Sequence, residues 1–202
     1  MLYAYKPQKD ILLRSISRRL RSAGVTPNMV TAAGLILSAA AGLVAMSGHL
    51  YAGIMLFLVG ACLDAFDGSF ARVCGLTTEF GRYFDSVCDR LAELLFVAGA
   101  VLGGEPVTAY SVIAGSIVLL IARVYTHRKG FNSNAAMFGR PERLTLLIAG
   151  LVVPAPYNSA LFITAGFLCM VSAIQAFVSG FKGKKARELL FQLSSACSPN
   201  LR

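Results

Sequence analysis

The chain has 202 residues, of which 56% are apolar and only 14% charged, with a net charge of +9; its mean hydropathy is +0.65. That balance excludes an ordinary soluble core and describes a membrane protein built as one domain. The positive charge suggests nucleic acid at first sight, but its distribution excludes that partner. All 19 Lys and Arg fall into four blocks: Lys6–Arg21, Arg72–Arg90, Arg123–Arg143 and Lys182–Arg202. If the chain crosses the bilayer in helix pairs between blocks, every basic residue lies at one face, the positive-inside pattern. Both termini, the Arg72–Arg90 region and the Arg123–Arg143 connection are then expected in the cytoplasm. The five cysteines form no CxxC pair and are odd in number, which fits small apolar packing residues rather than a disulfide framework.

In chain order, residues 1–22 lack the apolar run and cleavage site of a signal peptide. Lys9–Arg21 reads instead as an amphipathic helix lying on the membrane surface. Ile11, Leu12, Ile16 and Leu20 form its apolar stripe, and Arg14, Arg18 and Arg21 lie on another face. Thr26-Pro27-Asn28 opens the first span, with Thr26 placed to cap and Pro27 suited to the first turn. Helix one covers about 28–47 and is rich in Ala and Gly, which favours close helix packing. Helix two starts near Tyr51, and Asp64 comes 13 residues later, about 20 Å along a helix. With a hydrocarbon core about 30 Å thick, Asp64 falls inside the cytoplasmic part of the membrane. Helix three runs about 81–102, helix four about 107–125, helix five about 143–153 with its flanks, and helix six about 159–181. The expected architecture is therefore all-α: six transmembrane helices over residues 23–182, the surface helix over 1–22, and a basic C-terminal tail over 183–202.

One stretch concentrates the chemistry. Leu63–Arg90 holds four aspartates, Asp64, Asp67, Asp85 and Asp89, in surroundings where carboxylates are costly and usually functional. Asp64 and Asp67 are three apart and Asp85 and Asp89 four apart, so each pair shares a helix face. The turn-like Gly75–Thr78 folds the two helix ends into an antiparallel hairpin and brings the four together. Like charges about 4 Å apart repel by about 4 kcal/mol per pair at an effective dielectric of about 20. Protonation or a cation relieves this. Clustered carboxylate oxygens suit a hard ion such as Mg²⁺, Mn²⁺ or Ca²⁺. No His or Cys stands at ligand spacing, which speaks against zinc. Gly68 and Ala71 follow Asp64 on the same face, Gly81 precedes Asp85 by one turn, and Arg72 adds a fixed cation. Metals, a small-residue platform and an arginine together suggest a metal-bound diphosphate.

The run from Asp64 to Asp89, D-x2-D-G-x2-A-R-x8-G-x3-D-x3-D, resembles the signature of the CDP-alcohol phosphatidyltransferase family at all eight of its fixed positions. The resemblance implies a six-helix membrane enzyme, usually a homodimer, that moves a phosphatidyl-type group from a CDP-linked lipid to an alcohol and releases CMP. It implies Asp64, Asp67 and Asp85 as ligands of Mg²⁺ or Mn²⁺, two divalent ions in all. Asp89 is implied as general base and further ligand. Gly68, Ala71, Arg72 and Gly81 would cradle the CDP portion, with Asn28 facing the nucleotide. Glu93, one turn beyond Asp89, would tune it or bond another helix. The Arg123–Leu144 stretch groups Arg123, Arg128, Lys129, Arg140 and Arg143, which can bind an anionic acceptor. Arg140-Pro-Glu-Arg143-Leu is similar to the inositol-phosphate branch, which implies inositol 1-phosphate as acceptor, ahead of glycerol 3-phosphate and serine. The donor is CDP-diacylglycerol or CDP-archaeol. The enzyme is expected in the cell membrane with its site toward the cytoplasm. A cation transporter also uses intramembrane carboxylates, but it tends to place them near the midplane within repeats. Here they lie toward one face, and no repeat is evident.

Overall fold

A computed structural model of the chain describes residues 17, 19–22, 24–128 and 139–196; for Arg82, His127, Arg128 and 179–196 the description is of the backbone. The expected surface helix over 1–22 and Lys129 fall wholly or largely outside the described residues, although residues 17 and 19–22 are helical. Every regular element among the described residues is helical: α1 Pro27–Met46, α2 Leu50–Val73, α3 Glu79–Leu102, a short 3-10 turn Val107–Ala109, α4 Tyr110–Arg128, α5 Arg140–Val152 and α6 Tyr157–Ala196. The chain divides into two compact units, residues 1–107 and 108–202, and each is described by itself.

The starts of these helices follow from local chemistry. Pro27 occupies the first turn of α1, where its missing N–H costs nothing. Thr26 stands at the N-cap in extended conformation, but its hydroxyl makes no capping bond. Its carbonyl accepts from the N–H groups of Met29 and Val30 instead. Helix α2 stops at Cys74, where Gly75 takes the left-handed conformation with φ of 66°, open to glycine at little cost. Thr78 then caps α3, its hydroxyl accepting from the Gly81 N–H at 2.9 Å. The Glu142 carboxylate accepts from the Gly139 N–H at 2.9 Å and fixes the start of α5.

Among the described residues, four helices are long and apolar enough to cross a membrane: Pro27–Met46, Leu50–Val73, Val107–Thr126 and Tyr157–Val178. Helix α3 is as long as α2, 24 residues, but Glu79, Arg82, Asp85, Asp89, Arg90 and Glu93 interrupt its apolar character. Helix α5 has 13 residues, about 20 Å of rise, less than a hydrocarbon core. The last helix runs 40 residues, to Ala196, so most of the segment expected as a separate tail continues α6. Ile36, Leu43, Met55, Val87, Ile121, Phe167 and Ile174 are large, apolar and exposed, the outer surface of a membrane protein.

In the first unit α1 is the spine. It packs along both α2 and α3, whereas α2 and α3 meet each other only briefly, with Phe57 and Phe96 stacked at 4.3 Å. Small residues make the packing close. A methyl group added at Gly34 would come 3.3 Å from the Gly60 carbonyl oxygen of α2, and one at Gly42 would come 2.5 Å from the Leu95 carbonyl oxygen of α3. In the second unit α6 carries both α4 and α5. Leu119 and Ala122 of α4 pack there on Ala173 and Ala176, and the Ser111 hydroxyl donates to the Phe162 carbonyl at 2.9 Å.

A methyl group on Gly99 would run into the backbone of Gly42, and backbone cannot swing aside as a side-chain tip does. Gly99→Ala is expected to cost about 1–3 kcal/mol through overpacking. Thermal unfolding in detergent measures it, the variant melting several degrees below the parent.

Candidate active site

The carboxylates come from the facing ends of α2 and α3. The i,i+3 spacing puts Asp64 and Asp67 on one face of α2, and the Gly75 turn returns the chain so that α3 brings Asp85 alongside. One carboxylate oxygen from each of Asp64, Asp67 and Asp85 lies within 4.8 Å of the others. Asp67 is the most secluded, 3% exposed, while Asp64 and Asp85 are partly open. Three hard oxygen donors at that spacing fit one divalent ion of the Mg²⁺ or Mn²⁺ kind, which prefers carboxylate oxygen and keeps some water.

Asp89 does not belong to this trio. It is buried, one turn further along α3, where its charge interacts with Asp85, Arg90, Glu93 and Asp67. Glu93, 1% exposed, pairs with the Arg90 guanidinium at 2.9 Å on the same helix. The sequence left two roles open for Glu93, tuning Asp89 or bonding another helix; the structure adds this ion pair within its own helix.

A cavity of about 470 Å³ opens beside the trio. Every residue the sequence assigned to the CDP portion, namely Asn28, Gly68, Ala71, Arg72 and Gly81, lines it together with Asp67 and Asp85. The glycines set its shape. A methyl group on Gly68 would meet only the Arg72 guanidinium, at 3.6 Å, while one on Gly81 would press on the Thr78 hydroxyl at 2.9 Å and approach the Asn28 side-chain oxygen at 3.6 Å. Arg72 is steadied by donating to the Ser69 hydroxyl at 3.0 Å, which leaves a planar cation facing the cavity beside Gly68.

Sequence reasoning missed part of the lining. Pro27, Thr31 and the turn Leu76–Glu79 complete the wall. Thr31 of α1 is 4% exposed, and its hydroxyl donates to Oδ2 of Asp67. A usable signal was present: Thr31 follows Asn28 by three positions and therefore shares its helix face.

The proposed acceptor residues belong to the second unit. Arg143 is 1% exposed, and Arg123 and Arg140 are partly buried. Arg128 ends α4 with only its backbone described.

Clustered carboxylate oxygens drawn from two helices, beside a cavity bearing an arginine and a glycine floor, describe a metal-dependent enzyme of phosphate chemistry. The chain belongs to the CDP-alcohol phosphatidyltransferase family, whose model matches residues 24–182. Among its relatives is the archaetidylinositol phosphate synthase of Pyrococcus horikoshii, 31% identical over 193 residues that cover 94% of this chain and 100% of the relative. The phosphatidylinositol phosphate synthase of Mycobacteroides abscessus is 32% identical over 74% of this chain and 75% of the relative. The fold is shared with the phosphatidylinositol phosphate synthase of Mycobacterium tuberculosis. Its crystal structure with manganese and citrate matches with a TM-score of 0.71 at 24% identity, covering 83% of this chain and 88% of that one. The same enzyme with CDP-diacylglycerol bound matches with a TM-score of 0.66 at 23% identity, covering 83% and 92%.

Gly68 lies inside a helix, where a larger residue improves helix propensity, and the space beyond it is cavity. Gly68→Leu is expected to melt no lower than the parent and to bind CMP at least about tenfold more weakly, a loss of about 1.4 kcal/mol. Calorimetric titration of both proteins in detergent measures the ratio.

Proposed function

We propose that this enzyme transfers a phosphatidyl-type group from a CDP-linked lipid to inositol 1-phosphate and releases CMP. One observation carries the donor side: Asn28, Gly68, Ala71, Arg72 and Gly81 line a single cavity with two of the aspartates. The acceptor rests on the Arg140-Pro-Glu-Arg143 run and on relatives that are inositol phosphate lipid synthases. The lipid core is diacylglycerol or archaeol.

In this reading Asp64, Asp67, Asp85 and Asp89 hold two Mg²⁺ or Mn²⁺ ions. Bound there, the ions supply neutralisation of the diphosphate and of the charge that develops on departing CMP. The chain's own residues do the rest. Gly68, Ala71 and Gly81 let the nucleotide approach the backbone, Asn28 meets the base or ribose, and Arg72 pairs with a phosphate oxygen. Arg123, Arg128, Lys129, Arg140 and Arg143 draw in the acceptor's phosphate. The acceptor hydroxyl oxygen attacks the lipid-side phosphorus in line with the bond to CMP. The new P–O bond forms as that bond breaks, and Asp89 takes the hydroxyl proton.

The same reading gives six spans, with α3 and α5 lying in the membrane beside the four long apolar helices. Both termini face the cytoplasm, and the protein is a homodimer. Burying the aspartates within the cytoplasmic leaflet suits both substrates: the lipid keeps its tails in the bilayer, and the polar acceptor arrives from water.

The test is CMP release in detergent with Mg²⁺, from CDP-diacylglycerol and from CDP-archaeol, with inositol 1-phosphate, glycerol 3-phosphate or serine supplied separately. Release is expected with inositol 1-phosphate alone. Release with another acceptor in its place overturns the acceptor assignment, and no release with any of them overturns the transferase reading for these donors. Arg140→Ala is expected to raise KM for inositol 1-phosphate about tenfold or more, the loss of one charge-assisted hydrogen bond, while KM for the CDP-lipid stays within about twofold. Equal loss on both substrates contradicts the role given to Arg140.

A further inference from the structure

The mechanism above gives the aspartates work to do but leaves open what holds them in place. Asp67 is the most buried of the trio, 3% exposed, and no lysine or arginine is bonded to it in the interactions described. Its side-chain partner is Thr31, reaching across from α1, beside a backbone bond from Gly68 on its own helix. A carboxylate's terminal torsion is broad and two-fold, so packing alone does not decide which oxygen faces Asp64 and Asp85.

We propose that Thr31 is the positioning residue of the metal site: its hydroxyl engages Oδ2 of Asp67 and leaves Oδ1 as the oxygen committed to the divalent ion. This rests on the reading of the aspartates as metal ligands.

Three features of the structure support it. Thr31 is itself 4% exposed, so water does not compete for its hydroxyl. The hydroxyl has a single proton and two acceptors in range, Asp67 and the Pro27 carbonyl at 3.2 Å. A charged acceptor takes that proton in preference to a neutral one, because charge-assisted bonds are roughly twice as strong. Finally, α1 is clamped against α2 close by: a methyl group on Gly34 would lie 3.3 Å from the Gly60 carbonyl oxygen and 3.9 Å from the Asp64 amide nitrogen. The donor is thus carried on a rigid neighbour rather than on the ligand's own helix. Outer partners of metal ligands typically account for 10–100-fold in metal affinity.

The experiment is Mn²⁺ binding to the full-length protein in detergent without nucleotide, followed by the loss of the free-ion electron paramagnetic resonance signal. Thr31→Val keeps the shape and removes the donor; Thr31→Ser keeps the donor. Thr31→Val is expected to bind Mn²⁺ about tenfold or more weakly, with Thr31→Ser within about threefold of the parent. If Thr31→Val does not fold, Thr31→Ala removes the hydroxyl without setting a methyl group against the carboxylate and carries the same comparison. Equal Mn²⁺ affinity in parent and hydroxyl-free variant overturns the proposal. So does an unchanged Mn²⁺ affinity with weakened CMP binding, which would make Thr31 a nucleotide contact. A parent that binds no Mn²⁺ removes the underlying metal reading, an outcome distinct from either.

Discussion

Three carboxylates held within 4.8 Å of one another among apolar helices are the constraint on which the rest of this molecule depends. Each pair repels by about 3 kcal/mol at an effective dielectric of about 20, and burial raises the cost of every charge. Such a cluster persists if the surrounding helices are fixed tightly and its repulsion is relieved, as a divalent cation in the working state relieves it. Both conditions shape the first unit. The ligands are split between α2 and α3, so neither helix alone determines the site. What couples them is α1, which packs on both.

The closeness of that packing explains the composition of α1. Gly34, Ala41, Gly42 and Ala45 let neighbouring backbones approach to a few ångströms, which bulky apolar residues would prevent. Inside a bilayer there is no hydrophobic gain from burying one apolar side chain against another, so close van der Waals contact of small residues supplies the association. The same rigidity serves the site, because a donor on α1 and ligands on α2 and α3 keep their register only if the helices do not slide. The turn Gly75–Thr78 does a second job: it reverses the chain, and with Leu76 and Thr77 it walls the cavity.

Much of the site was legible in the sequence, because its determinants are local. One-turn spacing put Asp64 with Asp67, small residues at Gly68, Ala71 and Gly81 marked a cavity floor, and the eight-position signature joined them. The reach of the trio was less legible: one-turn spacings look alike on a helical wheel, and the structure groups Asp85 with Asp64 and Asp67 while Asp89 lies one turn further along α3, outside that group. Thr31 was missed because its spacing ties it only to Asn28 on its own helix, and nothing local in the sequence shows that it reaches Asp67 on another. The hairpin of α2 and α3 was expected as a direct pair, whereas α1 mediates most of their association, since backbone approach at glycines and not charge decides which helices touch. The basic tail could be read from the sequence as a surface helix or as disordered, and the structure continues α6 through it to Ala196, since a basic, polar run marks departure from the membrane and not the end of a helix. The arginines from Arg123 to Arg143 were legible as a group of cations, but distant chain segments carry no local sign of what they face.

The most direct test of the central claim asks whether bound metal and nucleotide meet at these aspartates. Mn²⁺ added to the full-length protein with a CDP-lipid should show hyperfine coupling to ³¹P of the diphosphate by pulsed electron paramagnetic resonance, and Asp85→Asn should abolish it while the protein remains folded. Mn²⁺ bound to the parent without phosphorus coupling, or coupling that survives Asp85→Asn unchanged, would contradict the account.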